Sequence, residues 1–189
     1  MNNEDFYGSQ YKYLKRIQRN VYNILLDLKE DNPENIMYVT SRLKAADSAL
    51  EKLNRKNIDY SELYTEMHDI IGFRIICPFI SDVFKVVQMV KEISIFTVIS
   101  EKNYINNPKP NGYQSYHIIV QVAPDISIEI QIRTIALDFW CALEHKLKYK
   151  KNVPDEEKIT TELKTIMDNI VCMDRKMEEI KQIIDAANE

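Results

Sequence analysis

The chain has 189 residues, 45% of them hydrophobic and 10% aromatic, with a formal net charge of −4. That length and apolar content exclude a disordered chain and are enough for one well-cored domain with a helical appendage. The opening MNNEDFYG has neither a basic nor an apolar leader region, and charge interrupts every apolar run before about 20 residues, so a cytoplasmic protein with no membrane partner is expected.

The charge is uneven. Residues 155–189 carry ten acids and five bases, which leaves the rest of the chain at +1. Within that rest, residues 42–56 hold Arg42, Lys44, Lys52, Arg55 and Lys56 against only Asp47 and Glu51. A basic segment this local suits a phosphate-bearing ligand better than a long nucleic-acid track, and no stable nucleic-acid partner is expected. Cys77, Cys141 and Cys172 show no Cys-x-x-Cys spacing and sit among apolar neighbours. They are expected to be reduced core residues.

In chain order, apolar residues at Tyr11, Leu14, Ile17, Val21, Ile24, Leu25 and Leu28 predict an amphipathic helix over 11–28. After Asp31-Asn32-Pro33 a second helical stretch is expected over 35–56, with Arg42 on it. The Ile-rich HDIIGFRIICPF, closed by a proline, predicts a buried strand, and a helix is expected over 81–93. IFTVISEK and YHIIVQVA predict strands on either side of the loop YINNPKPNGYQSYH. In ISIEIQIR, Ile126, Ile128, Ile130 and Ile132 alternate with Ser127, Glu129, Gln131 and Arg133, so one face lies on the core and the other is polar. Pro124-Asp125 predicts a tight hairpin before it, and a helix follows over 135–150.

The last segment differs in kind. Ile159, Leu163, Ile166, Ile170, Met173, Met177, Ile180 and Ile184 are spaced 4-3-4-3-4-3-4, a seam that needs a partner, either the first helix or another subunit. The fold class expected is α+β: a mixed central sheet with helices on one face, an N-terminal helix over 1–34, a sheet-bearing domain over 35–153 and a C-terminal heptad helix over 154–189.

Three glycines cannot build a P-loop or a dinucleotide fingerprint, so phosphates must be held by side chains and metal. His68, His117 and His145 have no zinc-like spacing. His68-Asp69 invites comparison with HD metal phosphohydrolases, but the further histidines of such a site are missing. Asp69 at the mouth of a strand and Glu129 on the polar face of another remain. With Gln131 and Arg133 on the same face and Arg74 on a neighbouring strand, these carboxylates beside arginines are what a magnesium-nucleotide site needs.

SRLKAADSALEKLNRK, HDIIGFRIICPF, YINNPKPNGYQSYH and IEIQIRTIALDFWCALEHKLKYK, in that order, closely resemble the synthetase domain of the RelA/SpoT family, in particular its small alarmone synthetases. The resemblance spans about residues 35–151; after Lys44 the chain reads Ala-Ala-Asp where many relatives carry proline. It implies a nucleotidyltransferase-like sheet and transfer of pyrophosphate from ATP to the 3′-hydroxyl of GTP or GDP, with Mg2+ as cofactor and a homotetramer as the assembly. By the same resemblance Asp69 binds magnesium, and Glu129 activates the acceptor hydroxyl and touches the metal. Arg42, Lys44, Lys52 and Arg74 serve ATP, while Lys109, Asn111, Tyr113, Gln114, His117, Gln131 and Arg133 serve the acceptor, with the Tyr113 ring stacked on guanine. Glu144 and His145 support the site. Two other readings remain open at this point: a toxic relative acting on the tRNA 3′ end, and a silent nucleotide-binding module.

Overall fold

A computed structural model describes residues 1–148 and 155–188. A five-stranded sheet in the order β1-β2-β5-β4-β3 forms its centre, from β1 (Tyr38–Leu43), β2 (Ile71–Cys77), β3 (Thr97–Asn103), β4 (Tyr116–Ala123) and β5 (Ile126–Thr134). β2 and β5 run parallel, and the other neighbours are antiparallel. The helices are α1 (Asn3–Tyr7), α2 (Tyr11–Asp31), α3 (Ala46–Lys56), α4 (Leu63–Glu66), α5 (Ile80–Glu92), α6 (Ile135–Lys148) and α7 (Glu156–Ala187). The last two residues of the helix expected over 135–150, and the expected domain boundary at 153/154, lie outside the described residues.

Period-two alternation decides which way the sheet faces. Ile71, Phe73, Ile75 and Cys77 of β2 join Ile126, Ile128, Ile130 and Ile132 of β5 in one buried cluster with Leu14, Val21 and Leu25 of α2 and Val83, Val86, Val87 and Val90 of α5. The opposite face carries two rows set by the register. Arg42, Gly72, Glu129, Ile119 and Ser100 form one, and Thr40, Arg74, Gln131, His117 and Lys102 form the other. β4 and β5 are joined across Pro124 and Asp125, as the hairpin expectation has it.

One element differs from the sequence expectation. Residues 35–56 are not a single helix: β1 occupies Tyr38–Leu43, and only Ala46–Lys56 is helical. Tyr38, Val39 and Thr40 favour a pleated surface, Val39 is buried in the core, and pairing with β2 satisfies their backbone. Arg42 therefore stands on a strand. The helix start is held from α1, whose Asn3 Oδ1 accepts the Ala46 backbone N–H at 2.8 Å.

The C-terminal seam also departs from expectation. α7 folds back on α6 and α5, burying Leu163, Met167 and Ile170 against Leu137, Trp140 and Cys141. Trp140 Nε1 donates to the Leu163 carbonyl at 2.9 Å. Of the expected seam, Ile166, Met173, Met177, Ile180 and Ile184 are exposed. The buried stripe follows Leu163, Met167, Ile170 and the carboxylate Asp174 along one side of the helix, and a second, apolar row faces outward. Cys77 and Cys141 are buried, whereas Cys172 is exposed because it falls on the outward side of α7.

Candidate active site

Two carboxylates mark the polar face. Asp69, just before β2, has Oδ2 2.9 Å from Lys44 Nζ and Oδ1 2.7 Å from Lys52 Nζ, the second a charge contact without aligned hydrogen-bond geometry. Burial pushes the Asp69 carboxyl up, but the two ammonium groups outweigh it and hold the group below its usual range. Lys44 comes from the end of β1 and Lys52 from α3, so the break between those elements is what lets both converge on one acid.

Glu129 sits mid-strand on β5. Its Oε1 is 3.0 Å from His117 Nδ1 and its Oε2 accepts from Gln131 Nε2 at 2.6 Å. Burial again raises its pKa, yet these partners more than offset burial and keep the carboxylate ionised. His117 Nε2 lies 2.8 Å from the Tyr113 hydroxyl. Tyr113 itself is pushed up to about 12 by burial, against the pull of Arg133, and so keeps its proton. Arg133 closes the chain beneath, donating to Gln131 Oε1 and reaching the Tyr113 hydroxyl at 3.4 Å.

The loop that presents Tyr113 is a hydrogen-bonded turn: Gly112 N donates to Lys109 O, Lys109 N donates to Tyr113 O, and Asn111 Oδ1 accepts from Tyr113 N. Gly112 has φ +89°, and a Cβ there would stand 3.1 Å from Met167 Cβ and 3.3 Å from Lys164 Cα. Only glycine lets this loop lie against α7. Lys109 Nζ lies 4.7 Å over the Tyr104 ring and 4.7 Å over the Tyr113 ring, the place a stacking base would take.

Two clefts open on this face. Thr40, Ser41, Arg42, Gly72, Arg74, Glu129 and Gln131 line the first. The second holds Asp69, Lys52, Lys109, His117, Tyr104 and Glu129, with His68, Lys56 and Lys102 also on its wall. Glu129 belongs to both. Among the residues singled out from sequence, Arg42, Arg74 and the expected acceptor residue Gln131 share the first cleft, while the expected ATP residue Lys52 lines the second with Asp69, Lys109 and His117. Arg133 is 1% exposed and lies under Tyr113 rather than in either cleft. Gln114 is buried and lines a separate recess against α7 with Cys172 and Arg175. Asn111 holds the turn and donates to Glu144 Oε1 at 3.2 Å, which gives Glu144 a supporting place.

Tyr104, His68, Lys102 and Asp138 are not among the site residues expected from sequence, and Lys56 enters there only as part of the basic segment 42–56. Tyr104 and Lys102 had a weak signal, one as a loop aromatic and the other on the polar alternation of β3. Asp138 had none, because it faces the site from the first turn of α6.

Among the described residues no group of three or more His, Cys, Asp or Glu side chains forms a ready-made metal cage. Asp69 and Glu129 nevertheless fit magnesium, which is commonly held by one or two carboxylates with substrate phosphates completing the shell. Lys44 and Lys52 supply positive charge at Asp69.

The description "Region found in RelA / SpoT proteins" matches residues 41–154. The chain belongs to the RelA/SpoT family. Both carboxylates and, apart from Thr40, the lining of both clefts fall inside the matched region, and α1, α2 and all of α7 lie outside it. The chain is similar to the GTP pyrophosphokinase YwaC of Bacillus subtilis, with 41% identity over 159 residues covering 79% of this chain and 76% of that protein. Its fold is similar to that of small alarmone synthetase 1 from B. subtilis bound to its product pppGpp: TM-score 0.81, 33% identity, 96% of this chain and 97% of that one. The same enzyme bound to AMPCPP superposes with TM-score 0.72 at 29% identity, covering 97% of each chain.

Proposed function

We propose that this chain is a (p)ppGpp synthetase, an ATP:GTP or ATP:GDP pyrophosphokinase that releases AMP. The observation that carries the reading is Glu129, the one carboxylate shared by a cleft lined by Arg42 and Arg74 and a cleft lined by Lys109, Tyr104 and His117. Donor and acceptor are bound on either side of it. ATP lies in the first cleft, where the arginines meet adenine and phosphates. The guanine nucleotide lies in the second, its base on the Tyr113 ring after Lys109 swings away to a phosphate.

Transfer joins the acceptor 3′-oxygen to the β-phosphorus of ATP and breaks the bond from that phosphorus to the α-phosphate oxygen. The hydroxyl proton passes to Glu129, which its partners hold ionised. Asp69 and Glu129 would hold Mg2+, which when bound neutralises charge on the transferring phosphoryl oxygens. His117, steadied by Tyr113, fixes the carboxylate's orientation, and Arg133 fixes Gln131. The exposed apolar row of α7 supports assembly of copies of the chain, with a tetramer as the reading the family resemblance favours, and nucleotide substrates are compatible with work in the cytoplasm. The test is chromatography of nucleotides after incubation with magnesium, ATP and GTP, GDP, GMP or tRNA in turn. Pyrophosphorylated GTP or GDP with equimolar AMP supports the reading; product from tRNA alone would replace it.

A further inference from the structure

The guanidinium groups of the donor and acceptor sides meet at a carboxylate that lines neither cleft. Asp138 in the first turn of α6 has its Oδ1 3.0 Å from Arg74 Nη1 and 3.8 Å from Arg133 Nη1, both charge contacts without aligned hydrogen-bond geometry. Its Oδ2 accepts from the Tyr38 hydroxyl at 3.2 Å. Its side chain is 13% exposed, so the contacts are partly shielded from water. Arg74 stands on β2 and lines the donor cleft, and Arg133 stands on β5 and supports Gln131 and Tyr113. One acid thus touches one arginine from each half of the site.

Its own position is set from outside the cleft. Leu137 N donates to Thr134 Oγ1 at 3.2 Å, which pins the start of α6, and the Thr134 hydroxyl donates to Asp174 Oδ2 of α7 at 2.6 Å. The path runs from α7 through Thr134 to the first turn of α6, where Asp138 projects.

We propose that Asp138 is a positioning residue for the transfer: by its charge it holds Arg74 and Arg133 together, keeping the donor-side guanidinium and the support under the acceptor tyrosine in place. The inference rests on the synthetase reading for its chemistry, but not for its effect on ATP binding. An arginine already held gives up little rotamer freedom when a nucleotide immobilises it, whereas a free one gives up much. Asp138 also draws some charge from Arg74, so a competing role makes the opposite prediction: without it, ATP would bind more tightly.

The experiment compares the full chain with Asp138→Asn and Asp138→Glu, varying ATP and GDP separately in steady state, titrating ATP by calorimetry and recording melting temperature. Asparagine keeps the shape and still accepts from Tyr38 but loses the charge. It is expected to raise the ATP KM and the ATP Kd about five- to tenfold, with a smaller rise in the GDP KM because Arg133 keeps Gln131 and Tyr113. Glutamate, which restores the charge, should bring ATP back to within about threefold of the parent. A lower melting temperature with unchanged KM and Kd values would make Asp138 a structural brace and overturn the proposal; tighter ATP binding by asparagine would overturn it in favour of competition. A parent chain that binds ATP but forms no pyrophosphorylated nucleotide would sink the synthetase reading, and calorimetry alone would still decide the role of Asp138.

Discussion

The hydrogen bonds of His117 and Gln131 to Glu129 outweigh the penalty of burial and hold its carboxyl below the ordinary range. Glu129→Gln preserves volume and one acceptor, so the fold and ATP binding should be nearly unchanged while turnover falls on the order of 10²-fold or more. Turnover within a few-fold of the parent would remove it from the reaction. Tyr113 does two jobs that substitution can separate. Tyr113→Ala should weaken the acceptor by roughly 1–3 kcal/mol, the usual worth of one base stack, with the ATP KM untouched. Tyr113→Phe should keep the acceptor KM yet lower turnover, because His117 loses its hydroxyl partner. Asp174 presents the opposite electrostatic case to Glu129. Burial, with Glu178 nearby, raises its carboxyl pKa against the bond from Thr134. The folded chain then holds that proton more tightly than the unfolded chain, so this group's contribution to stability falls as pH rises above the ordinary aspartate range. Asp174→Asn, which still accepts from Thr134, should melt no lower than the parent at pH 7, and any advantage should vanish below about pH 4. A lower melting temperature at pH 7 would show that the charge itself is needed.

The acceptor loop and α7 are built against each other. Gly112 at φ +89° leaves no room for a Cβ beside Met167 and Lys164. Gly112→Ala should cost about 1–3 kcal/mol of stability through strain and overpacking, and should raise the acceptor KM while sparing ATP. Equal effects on both substrates would mean the loop is not specific to the acceptor. This loop shows what was legible in the sequence and what was not. Asn-Gly between apolar runs announces a turn, and the strict alternation of ISIEIQIR announces which side chains share Glu129's face, because both signals are local. That Gly112 is required by a helix more than 50 positions later is a long-range packing fact with no local trace. β1 was missed for a related reason: Tyr38–Leu43 is short, and its strand character comes from pairing with β2 rather than from its own periodicity. Asp138 and the inward turn of Gln114 toward α7 likewise depend on how helices dock, which four well-matched motifs do not encode.

Taken whole, the molecule places a polar sheet face over an apolar core and closes one end of that face with α6 and α7. Removing residues 155–189 would uncover Leu137, Trp140 and Cys141, so the truncated chain should lose its cooperative melt rather than merely change its assembly. The outward row is separable from that function. Met177→Glu with Ile184→Glu, both exposed on the single chain, should leave melting close to the parent while light scattering reports a smaller particle. An unchanged particle mass would show that the row is not the interface. In the proposed pyrophosphate transfer one carboxylate, Glu129, serves two nucleotide clefts. The most direct test is to incubate the chain with magnesium, ATP and GDP and to resolve the nucleotides by anion exchange, with Glu129→Gln alongside. The parent should form AMP and 3′-pyrophosphorylated GDP in equal amounts and the variant almost none; ADP as the donor product, or equal yields from both proteins, would rule out pyrophosphate transfer through Glu129.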